Sequence, residues 1–203
     1  MGTRHLICVV KNGEYKVAQY GQWDGYPEGQ GLGVLEFLSK EMDRELFEGK
    51  VCNLSYITDE EYDQRWEDFG VNLEESDGLV DWETSKSFGK KYPELSRDTS
   101  SNILNIIQNS NREIKLHNNL EFAASSLFCE WGYVIDLDKN TFEVYEGFNQ
   151  VLLEENERFA KLNSYSDKIT EKYYPIKHVI SFSLDNLPSE KEFLSYFINE
   201  DDE

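Results

Sequence analysis

The chain has 203 residues, 39% of them hydrophobic and 14% aromatic, so it is long and apolar enough to form one folded domain and does not have a disordered composition. Its 20 basic and 40 acidic side chains give a formal net charge of −20, which excludes a broad basic surface for nucleic acid or anionic lipid. Two interpretations of this acidity stay open. It forms a solvated surface, or it binds a basic protein partner as an inhibitor or nucleic-acid mimic.

Cysteine content and hydropathy predict a cytoplasmic protein. The chain contains Cys8, Cys52 and Cys129, an odd and widely spaced set that indicates neither a disulfide framework nor a zinc knuckle. Cys8 and Cys129 lie in apolar runs, where we expect small core side chains. The sequence has neither a signal-peptide core nor an apolar run approaching ~18 residues, so we expect no membrane association.

The N-terminal half begins with a predicted hairpin. Apolar residues 6–10 and the alternating residues 15–20 flank Asn12-Gly13, a strong turn signal. A loop rich in glycine and aromatic residues then leads into a helix predicted over roughly 32–47. A second helix begins at the capping box of Thr58 and extends to about residue 69. Residues 70–91 show little periodicity, and we interpret them as a long excursion.

The C-terminal half predicts further helices and strands. Pro93 and Ser100 are candidate helix starts before an apolar helical face that ends near residue 110, and residues 131–137 and 141–145 form a second hairpin signal. The remaining predictions are a helix over 151–163, a strand over 176–184 and a final helix with a capping box at Ser189. Together the elements predict a single α+β domain over 1–203, with antiparallel sheets built from hairpins and covered by helices, and an acidic tail at 198–203 that frays.

The loop at 22–31 is the strongest candidate site. It combines two large aromatic side chains with three glycines immediately before a helix, where free N–H groups favour anions and aromatic faces stack on planar ligands. Arg4 adds a cation from the base of the first hairpin. An ordered loop that caps the core explains the same residues equally well. The candidate ligand-binding residues are Thr3, Arg4, Tyr20, Gln22, Trp23, Asp24, Tyr26, Gly29 and Gly31.

Known metal, nucleotide and catalytic motifs are excluded because the residues they require are missing. The acidic run that begins at Asp136 resembles the start of a calcium-binding loop, but Thr141 stands at its glycine position and Gly147 at its bidentate glutamate position. The three histidines lack partners at metal-ligand spacing, so we predict no metal, and the sequence has neither a phosphate-binding P-loop nor a dinucleotide fingerprint. A nucleophile elbow is missing as well, so no catalytic triad and no cofactor are predicted.

The N-terminal layout resembles that of N-terminal-nucleophile hydrolases. Thr3, the first strand, the hairpin at Gly13 and the return strand at Val17-Ala18 carry this resemblance over about twenty residues. It implies a sandwich of two sheets between helices and an amidohydrolase activity with Thr3 as nucleophile. Removal of Met1 exposes Gly2, however, so this chemistry requires a further cleavage that frees Thr3.

A second resemblance spans most of the chain. Gly2-Thr3-Arg4, the loop at 22–31 and the segments 131–138 and 142–145 resemble an uncharacterised family of phage, bacterial and fungal proteins, which implies no particular chemistry. The leading hypothesis is an intracellular protein that binds a small nucleotide-like or anionic ligand at loop 22–31. In a phage, such a protein would sequester a host immune signalling nucleotide.

Overall fold

A five-stranded sheet with the strand order β2-β1-β5-β6-β7 organises the fold. The computed structural model describes residues 2–162 and 173–197. A two-stranded sheet, formed by β3 and β4, is separate from the large one. The strands are β1 (His5–Lys11), β2 (Glu14–Gly21), β3 (Ser55–Tyr56), β4 (Lys115–Leu116), β5 (Trp131–Asp136), β6 (Thr141–Glu146) and β7 (Lys177–Ser183).

Short helices connect and cover the strands. Among the described residues, none is long and apolar enough to cross a membrane. Shorter 3₁₀ turns at Pro93–Leu95, Ser100–Asn102 and Leu120–Ala124 complete the connections. The helices are α1 (Leu32–Glu36, flanked by π-helical turns at Pro27–Gly31 and Phe37–Glu41), α2 (Arg44–Cys52), α3 (Asp59–Glu67), α4 (Trp82–Lys91), α5 (Ile103–Asn109) and α6 (Glu190–Ser195).

Both predicted hairpins are present, and they contact each other. The first turns at Asn12 and Gly13, whose φ angles of 56° and 73° suit a tight primed turn. In the second turn, the carboxylate of Asp138 accepts hydrogen bonds from the Asn12 and Gly13 amides at 3.0 and 2.8 Å. These bonds lower the pKa of Asp138 below its ordinary value. The acidic segment around Asp138 is therefore a hairpin turn, as the sequence indicates.

The α+β class is confirmed, but the sheet is mixed. Strand β1 pairs antiparallel with β2 and parallel with β5, from His5 opposite Trp131 to Val10 opposite Asp136. The long helical connection between β2 and β5 allows this parallel return, which hairpins alone cannot produce. The described residues form no second large sheet, so they do not show the sandwich that the hydrolase resemblance implies.

The central strands of the sheet, β1, β5 and β6, are buried on both faces. One carries Ile7 and Val9 against the helices, in a core that also contains Phe37, Phe47 and Phe193. The other face carries Leu6 and Cys8 and packs against the 3₁₀ turn at Leu120–Ala124 and the segment around Phe159. Cys8 and Cys129 are buried here, as predicted, and burial raises the pKa of the Cys8 thiol to about 12. A continuous apolar β1 is the pattern of a strand buried on two sides.

The helix predicted over 32–47 is two helices. Helical turns begin at Pro27, where proline suits the first helical position, and continue to Glu41. The backbone then becomes extended at Met42, and Asp43 caps α2 by accepting a hydrogen bond from the Leu46 amide. The sequence therefore contains a second helix start, at Asp43, inside an apolar pattern that looks continuous.

Two other predictions are wrong. The excursion at 70–91 contains α4, which Asp81 caps by accepting from two amides of its first turn. The helix predicted over 151–163 is absent from its described part, which forms turns held by side-chain bonds such as the one from the Val151 amide to Asn149 Oδ1. These bonds compete with a helical ladder.

Residue 163 and the tail 198–203 lie outside the described residues. The helices capped at Thr58 and Ser189 are confirmed.

Candidate functional site

Loop 22–31 closes over one end of β1. The amide of Gly25 donates to the Thr3 carbonyl at 2.9 Å, and the buried Tyr133 hydroxyl donates to the Gly25 carbonyl at 2.7 Å. Asp24 has a φ of 54°, a left-handed conformation that asparagine and aspartate tolerate better than most residues. The loop is thus held to the sheet by its backbone, while the side chains of Trp23 and Tyr26 remain 47% and 50% exposed.

The loop amides that sequence reasoning offered to an anion have partners within the chain. The amides of Gly29 and Gly31 donate to the Tyr26 carbonyl at 3.0 and 3.3 Å, and the amide of Gln30 donates to the Asp24 carbonyl at 2.9 Å. A Cβ on Gly29 would overlap the Asp24 carbonyl, and one on Gly31 would lie 3.1 Å from Tyr133 and Phe193. These glycines allow close approach of the protein's own atoms, which favours the capping interpretation.

The other predicted site residues converge only in part. Arg4 points its guanidinium over the Phe128 ring, 4.9 Å from the centroid, and lies 4.0 Å from the Glu130 carboxylate. Tyr20 packs edge-on against Phe122 and donates from its hydroxyl to the Gln22 side chain at 2.5 Å. Thr3 is buried beneath the loop. The Arg4 guanidinium already contacts an aromatic ring and a carboxylate within the protein, so these contacts explain its position without a ligand.

His5 lies beneath this loop and is completely buried. Neither ring nitrogen has a hydrogen-bond partner among the described residues. The ring occupies the space that a Cβ on Gly21 or Gly25 would need. Burial lowers the pKa of His5 to about 4, although the nearby Thr3 carbonyl acts in the opposite direction. His5 is therefore a neutral, tightly packed side chain under the loop.

A groove of about 1080 Å³ lies beside the loop, between α3, α4 and residues 95–98. We call it the α3–α4 groove. The sequence does not predict this groove, because residues 70–91 show little periodicity and indicate an irregular excursion. The available signals were the helix cap at Asp81 and two lysines four residues apart on one helix face. Its lining includes Tyr62, Trp66, Leu73, Val80, Trp82, Ser85, Lys86, Phe88, Lys90, Leu95, Ser96, Arg97 and Asp98.

Stacked aromatic rings form the apolar part of the groove. Trp66 and Phe88 are nearly parallel, with centroids 3.7 Å apart and an interplanar angle of 5°. Tyr62 meets the Phe88 ring edge-on at 6.0 Å. The Trp66 indole Nε1 is buried and has no hydrogen-bond partner among the described residues. An unpartnered buried donor of this kind normally binds an acceptor from water or a ligand.

Three cations and one carboxylate line the groove. The cations are Lys86, Lys90 and Arg97, all exposed, and Lys86 lies 4.9 Å above the centroid of the Trp82 ring. None of the three forms a salt bridge within residues 2–162 and 173–197, where ten other basic side chains do. In a chain with twice as many acidic as basic residues, this local excess of positive charge is unusual.

Hydrogen bonds join the groove to the predicted loop. The Trp23 indole Nε1 donates to Asp98 Oδ1 at 2.9 Å, and the Gln22 amide donates to the Arg97 carbonyl at 3.1 Å. Gln19 Nε2 donates to the Ser96 carbonyl at 3.1 Å, while the buried Gln19 Oε1 has no partner in the described part of the chain. The loop therefore supports one wall of the groove.

A buried ionic network lies on the face of the sheet that carries Leu6 and Cys8. Arg158 donates to Asp136 and Glu143, at 2.6 Å in each case, and the Tyr145 hydroxyl donates to Glu143 at 2.6 Å. Burial alone would raise the pKa of Glu143, but the bonds from Arg158 and Tyr145 lower it below its ordinary value. Every charge in this network has a partner, so we assign it a structural role.

The fold and the groove define an α+β protein with a mixed sheet and an open cationic groove beside it. No cluster of three or more His, Cys, Asp or Glu side chains within the described ranges is arranged to hold a metal ion. Comparisons with models of protein families, with curated proteins and with solved structures find no match to this chain.

Proposed function

We propose that the α3–α4 groove binds a small anionic ligand with a planar aromatic part, such as a nucleotide. The observation that carries this proposal is the presence of three cations without carboxylate partners around an aromatic groove, in a chain of net charge −20. Elsewhere in the described residues, basic side chains such as Lys11 and Arg158 lie against carboxylates. Cations held apart from acids are available to an anion.

The overall negative charge does not prevent this binding. At an ionic strength of 0.1 M, charges farther apart than about 10 Å are largely screened, so the three cations and one carboxylate of the lining act on a ligand in the groove more strongly than the distant acidic residues do. Lys86 and Lys90 lie one turn apart on α4 and can contact adjacent oxygens of one phosphate chain. We therefore expect binding that weakens as salt is added.

The aromatic side chains supply the complementary surface. Trp82 is 65% exposed and offers an indole face at the groove, and stacking of a base on such a ring contributes about 1–3 kcal/mol. Trp66 and Phe88, stacked on each other, form the apolar floor beneath this surface. The volume of about 1080 Å³ lies slightly above the roughly 300–1,000 Å³ that ligand sites span, so the open groove has room for a whole nucleotide.

Titration calorimetry with nucleoside triphosphates and inorganic triphosphate tests this proposal. Loss of one charge-assisted hydrogen bond costs roughly 1.5–3 kcal/mol, so Lys86→Gln and Lys90→Gln should each weaken binding about tenfold to a hundredfold. Lys191→Gln is the matched control, because it removes an exposed lysine from α6, away from the groove lining.

The same titrations separate the groove from the loop. Weaker binding in the groove variants with unchanged binding in Arg4→Ala supports the groove. Weaker binding in Arg4→Ala alone would instead place the ligand at loop 22–31, as the sequence hypothesis holds. If the wild-type protein binds none of these compounds, the proposal is wrong.

A further inference from the structure

Asp98 is the one carboxylate in the lining of the α3–α4 groove. Its Oδ1 accepts the Trp23 indole N–H at 2.9 Å, and its own amide donates to Ser96 Oγ at 3.2 Å. The adjacent backbone is held as well, by the bonds from Gln22 to Arg97 and from Gln19 to Ser96. The carboxylate is therefore held in position before any ligand arrives.

The charges of the groove orient an anionic ligand. Lys86 and Lys90 lie on α4, whereas Asp98 lies on the segment that follows Leu95. A phosphate is attracted to all three cations of the lining and repelled by the carboxylate, and the two lysines, one turn apart on α4, are the pair of cations on the segment that lacks a carboxylate in the lining. The neutral, planar end of a nucleotide is therefore the part that can lie beside Asp98 without repulsion.

A carboxylate accepts hydrogen bonds and donates none. An ionised carboxylate offers about four lone-pair positions, of which Trp23 uses one, so Asp98 can still accept a pair of N–H donors. Guanine presents two adjacent donors, N1–H and the N2 amino group, on one edge. Adenine presents a single amino donor next to the acceptor N1, which would face the carboxylate unfavourably.

We infer that Asp98 is a specificity-determining residue that selects guanine nucleotides over adenine nucleotides, with Trp23 as its positioning residue. This inference rests on the proposed function, because it requires a nucleotide-like ligand in the groove. A matched pair of hydrogen bonds to a base edge discriminates between bases, and Asp98 is exposed at the groove, where a base can reach it. We expect GTP to bind about tenfold more tightly than ATP, with ITP, which lacks the amino group, between them.

Exchange of the acceptor for a donor should reverse the preference. Xanthine carries a carbonyl where guanine carries the amino group, so Asp98→Asn should bind XTP more tightly than GTP, whereas the wild-type protein prefers GTP. Asn retains an oxygen that accepts the Trp23 bond. Trp23→Phe removes that bond and should reduce the GTP-to-ATP affinity ratio without affecting the binding of inorganic triphosphate. Asp63→Asn, an exposed change of the same type on α3 outside the groove lining, should leave every ratio unchanged.

Calorimetric titration of GTP, ATP, ITP and XTP into these four proteins decides the question. Removal of a negative charge tightens the binding of all nucleotides, so the ratio between bases is the informative quantity. Equal binding of all four nucleotides, or a ratio that is the same in wild type and Asp98→Asn, would overturn the inference and leave the proposed function intact. Failure of all four to bind would overturn both.

Discussion

Lowering the pH from 7 to 5 should destabilise this protein through His5, the buried histidine under loop 22–31. The side chain is completely buried, neither ring nitrogen has a partner in the described residues, and burial lowers its pKa from 6.5 to about 4. The informative perturbation is His5→Leu, which replaces the titrating imidazole with an apolar side chain of similar size. Because the ring forms no hydrogen bonds, an apolar substitute should be tolerated at pH 7.

The sign and size of the effect follow from proton linkage. Between pH 6.5 and pH 4 the unfolded chain binds a proton at His5 and the folded chain does not, so stability falls as the pH is lowered through this range. A shift of one pKa unit corresponds to about 1.4 kcal/mol, which gives a total effect on the order of 3 kcal/mol, of which about 2 kcal/mol appears between pH 7 and pH 5. The partly buried His117, whose pKa burial also lowers, adds a contribution of the same sign.

Urea unfolding followed by tryptophan fluorescence at both pH values measures this effect. Protonation of carboxylates and relief of the net negative charge change all variants alike, so the quantity to compare is the pH-dependent difference between wild type and His5→Leu. The exposed His178 provides the control, and His178→Gln should retain the wild-type pH dependence. An unchanged pH dependence in His5→Leu would show that His5 takes up no proton on unfolding and would refute the reasoning.

Two further predictions concern packing and buried charge. Gly21→Ala should cost more than about 2 kcal/mol in urea unfolding, because the new Cβ overlaps the His5 ring, whereas Gly49→Ala, with no atom within 4 Å on an exposed part of α2, should stabilise by about 0.5–1 kcal/mol. Equal effects of the two substitutions would contradict the close packing. Arg158→Met leaves two buried carboxylates without their cation and should cost about 3–5 kcal/mol, against less than about 1 kcal/mol for the exposed Lys40→Met. A small loss in Arg158→Met would mean that water reaches those carboxylates.

Local signals in the sequence predicted most elements correctly. The turn at Asn12-Gly13 and the capping boxes at Thr58 and Ser189 depend on neighbouring residues only, and the structure contains all three. The single cap at Asp43 was overlooked because apolar residues continued at helical spacing on both sides of it. The helix predicted over 151–163 is missing because local side-chain bonds, such as the one that Asn149 Oδ1 accepts from the Val151 amide, compete with a helical ladder. Arg158 in this segment also forms ion pairs with the sheet, which the sequence does not reveal.

The candidate site was predicted only in part. Sequence reasoning identified Trp23 as a site residue, and the structure places its indole against Asp98 in the groove wall. The groove itself depends on which side chains of α4 face those of α3, and this arrangement is set by the packing of Trp66 on Phe88. No spacing within the sequence encodes that contact. No match to a known protein confirms or refutes either family resemblance.

The parallel pairing of β1 with β5 has a consequence for the newly made chain. The first hairpin is complete once its return strand has emerged from the ribosome, yet the neighbour of β1 is synthesised roughly 120 residues later, which takes on the order of ten seconds at about 5–20 residues per second. During this interval β1, which is apolar on both faces, has one edge whose backbone N–H and C=O groups lack their partner strand. Nascent chains of this protein should therefore depend on chaperone protection until β5 emerges, and stalled chains that end before Trp131 should aggregate.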